Sequence, residues 1–118
     1  MAITQVYETI EPPRTDVDAL QEPTVIEFGT PWCGYCAAAQ PLIADAFAAH
    51  PDVRHIKIED GPGRPLGRTF RVKLWPTLVF LREGRELGRV VRPTDAEAIT
   101  EQLRLMDDGS TDHDSRAG

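Results

Sequence analysis

Cysteine is nearly missing from this chain: 118 residues hold two, Cys33 and Cys36. That scarcity excludes a disulfide-stapled scaffold of the kind small secreted domains use when their core is thin. Aromatic residues make up only 7%, and the two tryptophans, Trp32 and Trp75, stand out for that reason. Positive charge is also short, with 13 Lys and Arg against 19 Asp and Glu for a net charge of −6. The basic footprint that nucleic-acid binding requires is therefore absent, and no nucleic-acid partner is expected. No apolar run approaches the ~20 residues needed to cross a bilayer, so no membrane association is expected. Met1–Glu11 lacks a basic stretch followed by an apolar one, the pattern of a secretory leader. A cytoplasmic location is the expectation, in a compartment where thiols stay reduced. Part of the acidic surplus is local: Asp107, Asp108, Asp112 and Asp114 face a single Arg116. Residues 107–118 read as a disordered, solvated tail behind one domain at 1–106. That domain can form its own core, and 41% hydrophobic with 27% charged residues is ordinary for a globular protein.

Thr4–Glu8 alternates apolar and polar residues and predicts a first strand, stopped by Pro12 and Pro13. Thr15 or Asp16 then caps a short helix through Leu20. The run Thr24–Gly29 is apolar and bounded by Pro23 and Pro31, the mark of a buried strand. From Cys33 to about His50 the alanine-rich sequence favours helix, with Pro41 placed to kink it. Val53–Glu59 reads as a strand of imperfect alternation, with Val53, His55 and Lys57 opposite Arg54, Ile56 and Ile58. Asp60–Gly67 is a Gly/Pro loop without a Gly-Lys-Ser/Thr sequence, so it is not read as a phosphate cradle. A short helix around Leu66–Arg71 follows. Thr77–Leu81 forms a strongly apolar strand, joined through Arg82-Glu83-Gly84-Arg85 to a second strand at Glu86–Val91. Thr94 or Asp95 caps a last amphipathic helix with Ala98, Ile99, Leu103 and Met106 on one face. The order βαβ and then ββα predicts an α/β fold: a mixed sheet of four to five strands, flanked by helices on both faces.

The two cysteines lie three apart in Trp32-Cys33-Gly34-Tyr35-Cys36, where a buried strand turns into a helix. At a helix N-terminus the unpaired N–H groups and the helix dipole favour negative charge. A thiol placed there gives up its proton more easily, and the thiolate is the reactive form. The second thiol sits one turn further in, within reach of a disulfide. One cysteine can then attack a substrate disulfide and the other resolve the mixed disulfide. Two other readings compete. Half a zinc site would need four ligands, and His50, His55 and His113 supply no matching pair, unless two chains share a metal. Two inert buried cysteines form the other alternative. The strand–CxxC–helix setting favours redox chemistry over both, and neither a metal nor a bound cofactor is expected.

With these residues in view, the sequence resembles the thioredoxin family over roughly Thr4 to Met106. The carrying features are Trp-Cys-Gly-x-Cys at 32–36, Pro41 eight residues after Cys33, and Trp75-Pro76-Thr77, followed by the hairpin and final helix in the family's order. Glutaredoxins share a CxxC and a later proline, but at longer spacing and with a Gly-Gly turn that is not seen here. The resemblance implies a thioredoxin fold and a role for Pro76 as a cis-proline facing the disulfide. It also implies that the backbone of Trp75 pairs with an extended substrate segment like an added strand. Glu27, six before Cys33, takes the place of the family's buried Asp and would accept the proton of Cys36. Its alternative is a solvated strand position. Trp32, Gly34, Tyr35, Trp75, Pro76, Thr77 and Arg92 are the expected substrate-binding set.

Several positions depart from the family's usual choices. Tyr35 replaces a proline, Trp75 an aliphatic residue, Leu74 and Arg92 glycines, and Gly29 an aromatic residue, while His55 stands where a lysine usually neighbours the buried acid. The cysteine machinery is kept and the docking surface rewritten. Arg92 is either a selectivity element or a solvated arginine, and His55 is structural unless it lies beside Glu27. The expected function is a thiol–disulfide oxidoreductase that reduces protein disulfides as a monomer. Its partners would be a disulfide-containing client protein and a reductase or glutathione as electron donor. The rivals are an oxidase or isomerase of the same fold, and a chaperone or assembly factor that grips a client without using its cysteines.

Overall fold

The computed structural model describes residues 6–115, with side chains to Asp107. Eight elements follow one another: α1 (Arg14–Asp18), β1 (Thr24–Gly29), α2 (Gly34–Phe47), β2 (Arg54–Glu59), α3 (Pro65–Thr69), β3 (Thr77–Arg82), β4 (Arg85–Val91) and α4 (Ala96–Ser115). The strands form one sheet in the order β2-β1-β3-β4, with β1 parallel to β2 and both other pairs antiparallel. Parallel pairing of β1 and β2 needs a crossover, which α2 supplies. A two-residue turn joins β3 to β4, with Glu83 at φ 52° and Gly84 at φ 76°, the left-handed pair that a tight hairpin requires.

β1 is paired on both sides and covered on both faces, so its six residues are all buried and its sequence shows no alternation. Its side chains still alternate in direction. Val25 enters one core with Ala39, Ile43 and Phe47 of α2, Leu78 and Phe80 of β3, and Ile99, Leu103 and Met106 of α4. Ile26 and Phe28 enter the opposite core with Val17, Ile56, Ile58, Leu66, Phe70, Val79 and Leu81. Glu27 shares the face of Val25 and therefore points under α2.

The sequence reading differs from the structure at several points. The helix expected to begin at Thr15 or Asp16 begins at Arg14, after Pro13, without a side-chain cap. At α4 the cap is Asp95, whose Oδ1 accepts the Ala98 N–H at 3.2 Å. Ala98 itself is exposed, and Ala96 packs against the core in its place. The helical phase is set by Ile99, Leu103 and Met106, and Ala98 falls outside that stripe. Helical backbone continues to Ser115, overlapping the stretch read as a tail. Of the strand expected at Thr4–Glu8, residues 4 and 5 lie outside the described residues. The rest contributes one parallel bridge, Tyr7 to Lys57, with the Glu8 N–H donating to the Lys57 carbonyl at 2.9 Å. Among the described residues no helix is long and apolar enough to cross a membrane.

Candidate active site

β1 ends at Gly29, and a short turn leads into α2 through Cys33, the helix N-cap at φ −86° and ψ 122°. Cys33 Sγ accepts the backbone N–H of Cys36 at 3.2 Å. A sulfur therefore takes the position that Ser or Asp oxygen usually holds at a helix start. The same helix start presents unpaired backbone N–H groups and the positive end of the helix dipole to this sulfur. Both cysteines are free thiols; Cys33 is half-buried, whereas Cys36 is 3% exposed. Burial pushes the Cys36 thiol up to about 12, and the hydrogen bond and charge of Cys33 and the charge of Glu27 add to the shift. The outer sulfur sits at the helix start, half-buried, and the inner one is buried and holds its proton.

Beneath the inner thiol lies a polar cluster that the sheet register assembles. Parallel pairing aligns Glu27 with Lys57 and Val25 with His55, so His55, Lys57 and Glu27 share one face under α2. The Glu27 side chain is fully buried. Its Oε1 lies 2.9 Å from His55 Nε2, its Oε2 accepts from Gln40 Nε2 at 2.8 Å, and Lys57 Nζ stands 3.8 Å from Oε2. Gln40 Nε2 also donates to the Cys36 carbonyl at 2.8 Å, and Lys57 Nζ donates to Gln40 Oε1 at 3.1 Å. A buried carboxylate is tolerated only when paired and hydrogen-bonded, and these three partners meet that condition. The solvated alternative for Glu27 is excluded, and His55 does lie beside it.

Gly29 opens a second approach to Cys36. A Cβ on Gly29 would lie 2.5 Å from Cys36 Sγ and 3.1 Å from the Tyr7 hydroxyl, so thiol and phenol meet in the space that glycine leaves. Lys57 Nζ lies 4.6 Å from the centroid of the Tyr7 ring. Burial, together with the negative charge that Cys36 and Glu27 carry when ionised, pushes the Tyr7 phenol above its ordinary range. A surface cavity of about 510 Å³, lined in part by Tyr7, Thr30, Cys36, Gln40 and Lys57, opens beside the inner thiol.

On the other side of Cys33 stand two aromatic walls. Trp32 is 73% exposed, and its ring meets Trp75 edge-on at 5.6 Å. Trp75 Nε1 donates to Asp60 Oδ2 at 2.8 Å, and the Trp75–Pro76 peptide is cis. Tyr35 is 60% exposed, and Gly34 has open space around its Cα. Thr77 is buried, and its hydroxyl donates inward to the Leu74 carbonyl at 2.6 Å. That hydroxyl shapes the loop before β3. Arg92 reaches across to this loop, with its Nε donating to the Trp75 carbonyl at 2.8 Å and its guanidinium 3.8 Å above the Tyr35 ring.

Four participants were not legible as site residues. Gln40 stands one helical turn after Cys36, a spacing that places it on the same face. Lys57 was visible in the β2 alternation beside His55, but only the strand register brings it to Glu27. Tyr7 and Asp60 reach the site through tertiary contacts and leave no local signal. Among the described residues, no three His, Cys, Asp or Glu side chains converge as a metal-ligand group.

A mixed sheet that carries a free dithiol at the start of its crossover helix, beside a cis-proline loop, defines the class of thiol-redox domains. The thioredoxin family model matches residues 9–105, and the chain belongs to the thioredoxin family. Thioredoxin 2 from Pseudomonas aeruginosa PAO1, solved in its reduced form, is 56% identical, superposes with a TM-score of 0.78, and is covered over 93% of its length by 85% of this chain. Thioredoxin H2-1 of Oryza sativa subsp. japonica is 36% identical over 67 residues, 57% of this chain and 49% of that protein. Protein disulfide-isomerase A2 of Pongo abelii is 38% identical over 86 residues, 68% of this chain and 16% of that protein. The chain thus spans about half or less of these last two relatives. Members of the family are protein-disulfide oxidoreductases, and the Cys33–Cys36 pair supports that chemistry here.

Proposed function

We propose that this chain reduces disulfides in client proteins through a Cys33/Cys36 dithiol–disulfide cycle. Cys33 thiolate attacks one sulfur of the client disulfide; that S–S bond breaks, a mixed disulfide forms, and the first client thiolate leaves and is protonated. Cys36 then loses its proton towards Glu27 and attacks Cys33 Sγ. The Cys33–Cys36 bond forms as the second client thiol leaves. The client is reduced by two electrons and the protein oxidised by two. A reductase or glutathione returns the dithiol, with the protein acting as a monomer in the cytoplasm.

The observation that carries this reading is the asymmetry of the two thiols. Cys33 Sγ caps α2 at 3.2 Å from the Cys36 nitrogen, while Cys36 is buried over a carboxylate and pushed up to about 12. An inner thiol that holds its proton needs a local acceptor to resolve the mixed disulfide. Support for Glu27 in that role comes from its burial on the sheet face under α2 and from Gln40, which bridges it to the Cys36 carbonyl. Trp32, Trp75 and Pro76 supply the wall against which a client segment docks.

The test of direction is the reduction potential, read from the fluorescence of Trp32 and Trp75 in glutathione buffers of graded poise. A value of roughly −270 to −230 mV, as in thioredoxins and glutaredoxins, supports a reductase. A value of roughly −180 to −120 mV would make the protein an oxidase or isomerase.

A further inference from the structure

Arg92 stands at the end of β4 with φ 49°, a backbone region that costs a non-glycine residue energy and persists only where surroundings enforce it. Three contacts hold it there. Its N–H donates to the Pro76 carbonyl at 3.0 Å, its Nε donates to the Trp75 carbonyl at 2.8 Å, and its guanidinium stacks 3.8 Å above Tyr35. The arginine thus ties the loop bearing Cys33 to the loop bearing Pro76, across the groove between them. Among the described residues no carboxylate is paired with it, unlike Arg14, Arg54, Arg64, Arg89 and Arg104. Large apolar side chains lie exposed on this side of the molecule: Trp32 is 73% exposed, Tyr35 60%, Leu74 46% and Val91 43%.

We propose that Arg92 sets the client class: the groove accepts disulfide-bearing segments that carry an Asp or Glu beside their reactive cysteine, within an otherwise apolar stretch. The inference rests on the client-docking role proposed above. The Trp75 carbonyl is the acceptor that an added client strand would use, and Arg92 already occupies it. A client that displaces Nε leaves the guanidinium without its acceptor. A carboxylate on the client replaces that bond with a charge-assisted, two-pronged one, whereas a neutral or basic client does not. Stacking on Tyr35 keeps the planar fork oriented while the exchange occurs. The chain's net charge of −6 repels acidic segments in general, so the preference is confined to the reach of this one side chain.

The test uses three cystine peptides that are identical except for Glu, Gln or Lys beside the cysteine. kcat/KM is measured for the wild-type chain, Arg92→Gly and Arg92→Lys. Glycine suits the left-handed backbone at this position, so Arg92→Gly relieves strain and does not endanger the fold. The expected result is about a tenfold preference of the wild type for Glu over Gln, weakened by salt. That preference should be lost in Arg92→Gly and partly retained in Arg92→Lys. Equal rates for all three peptides, or a Glu preference that survives Arg92→Gly, overturns the proposal. Calorimetric binding of the same peptides to the Cys33→Ser, Cys36→Ser double variant reads the preference without any turnover. A chain that reduces no peptide but still binds Glu over Gln would refute the disulfide-reductase reading and leave the role of Arg92 standing. Indifferent binding would refute the role of Arg92.

Discussion

Replacing Gly29 with Ala should slow resolution of the mixed disulfide while sparing the first attack by Cys33. Gly29 ends the central strand in extended backbone, so alanine costs nothing in conformation. Its Cβ, however, would lie 2.5 Å from Cys36 Sγ and 3.6 Å from Cys36 Cβ. Non-bonded contacts of this kind settle at roughly 3.5–4.0 Å, so the sulfur must give way by about 1 Å. The strand cannot move instead, because Gly29 is in register with Glu59 and the preceding Phe28 pairs with both Ile58 and Thr77. Overpacking of this size costs about 1–3 kcal/mol, a fall in Tm of about 4–12 °C at roughly 4 °C per kcal/mol for a domain of this size. Thermal unfolding of the reduced protein measures the cost. Rapid-quench trapping of the mixed disulfide measures its consequence: the intermediate should accumulate, with the alkylation rate of Cys33 unchanged. A reduced Gly29→Ala protein with wild-type Tm and no accumulated intermediate would show that Cys36 Sγ does not fill the space beside β1.

Glu27→Gln keeps the shape of the acid and removes its charge, so resolution should slow on the order of 10²-fold, the low end of general-base effects, at an unchanged Cys33 alkylation rate; equal resolution rates would remove Glu27 from proton transfer. The Cys36 thiol stands at about 12 in the folded chain against an ordinary 9.0. The unfolded chain therefore releases its proton first, and the stability conferred by the folded thiol is complete below about pH 9 and lost as pH rises towards 12. Urea unfolding should show the reduced form losing stability relative to the disulfide form as pH rises from about 9 towards 12, and parallel pH profiles would contradict this. Asp60→Ala removes the acceptor of the Trp75 indole at 2.8 Å. It should cost ~1 kcal/mol and shift tryptophan emission to the red, whereas an unchanged spectrum would show the indole held by packing alone.

The parts of this fold that could be read in advance are those whose signal is local. β1 has its expected bounds, Thr24–Gly29, because a central strand covered on both faces is an unbroken apolar run and two prolines mark its ends. The CxxC was legible because a thiol at a helix start has a stated chemical consequence. The cluster around Glu27 was only partly legible. The sequence offers His55 as a neighbour of the acid, but Lys57 reaches it through the β1–β2 register and Gln40 through the phase of α2. The position of Ala98 is not legible because alanine fits either face of a helix, and only the packing of Ile99, Leu103 and Met106 decides. Arg92 could be named as a departure, but its reach to the Trp75 carbonyl and the Tyr35 ring depends on a left-handed residue that no local pattern announces.

The central claim is that Cys33 attacks and Cys36 resolves, and single-cysteine trapping tests it most directly. Cys36→Ser and Cys33→Ser proteins, each mixed with an oxidised client protein, are alkylated and read by mass spectrometry. The account predicts a stable covalent adduct through Cys33 in Cys36→Ser, little adduct in Cys33→Ser, and no client turnover by either. An adduct carried chiefly by Cys36, or client turnover that survives the loss of Cys33, would contradict it.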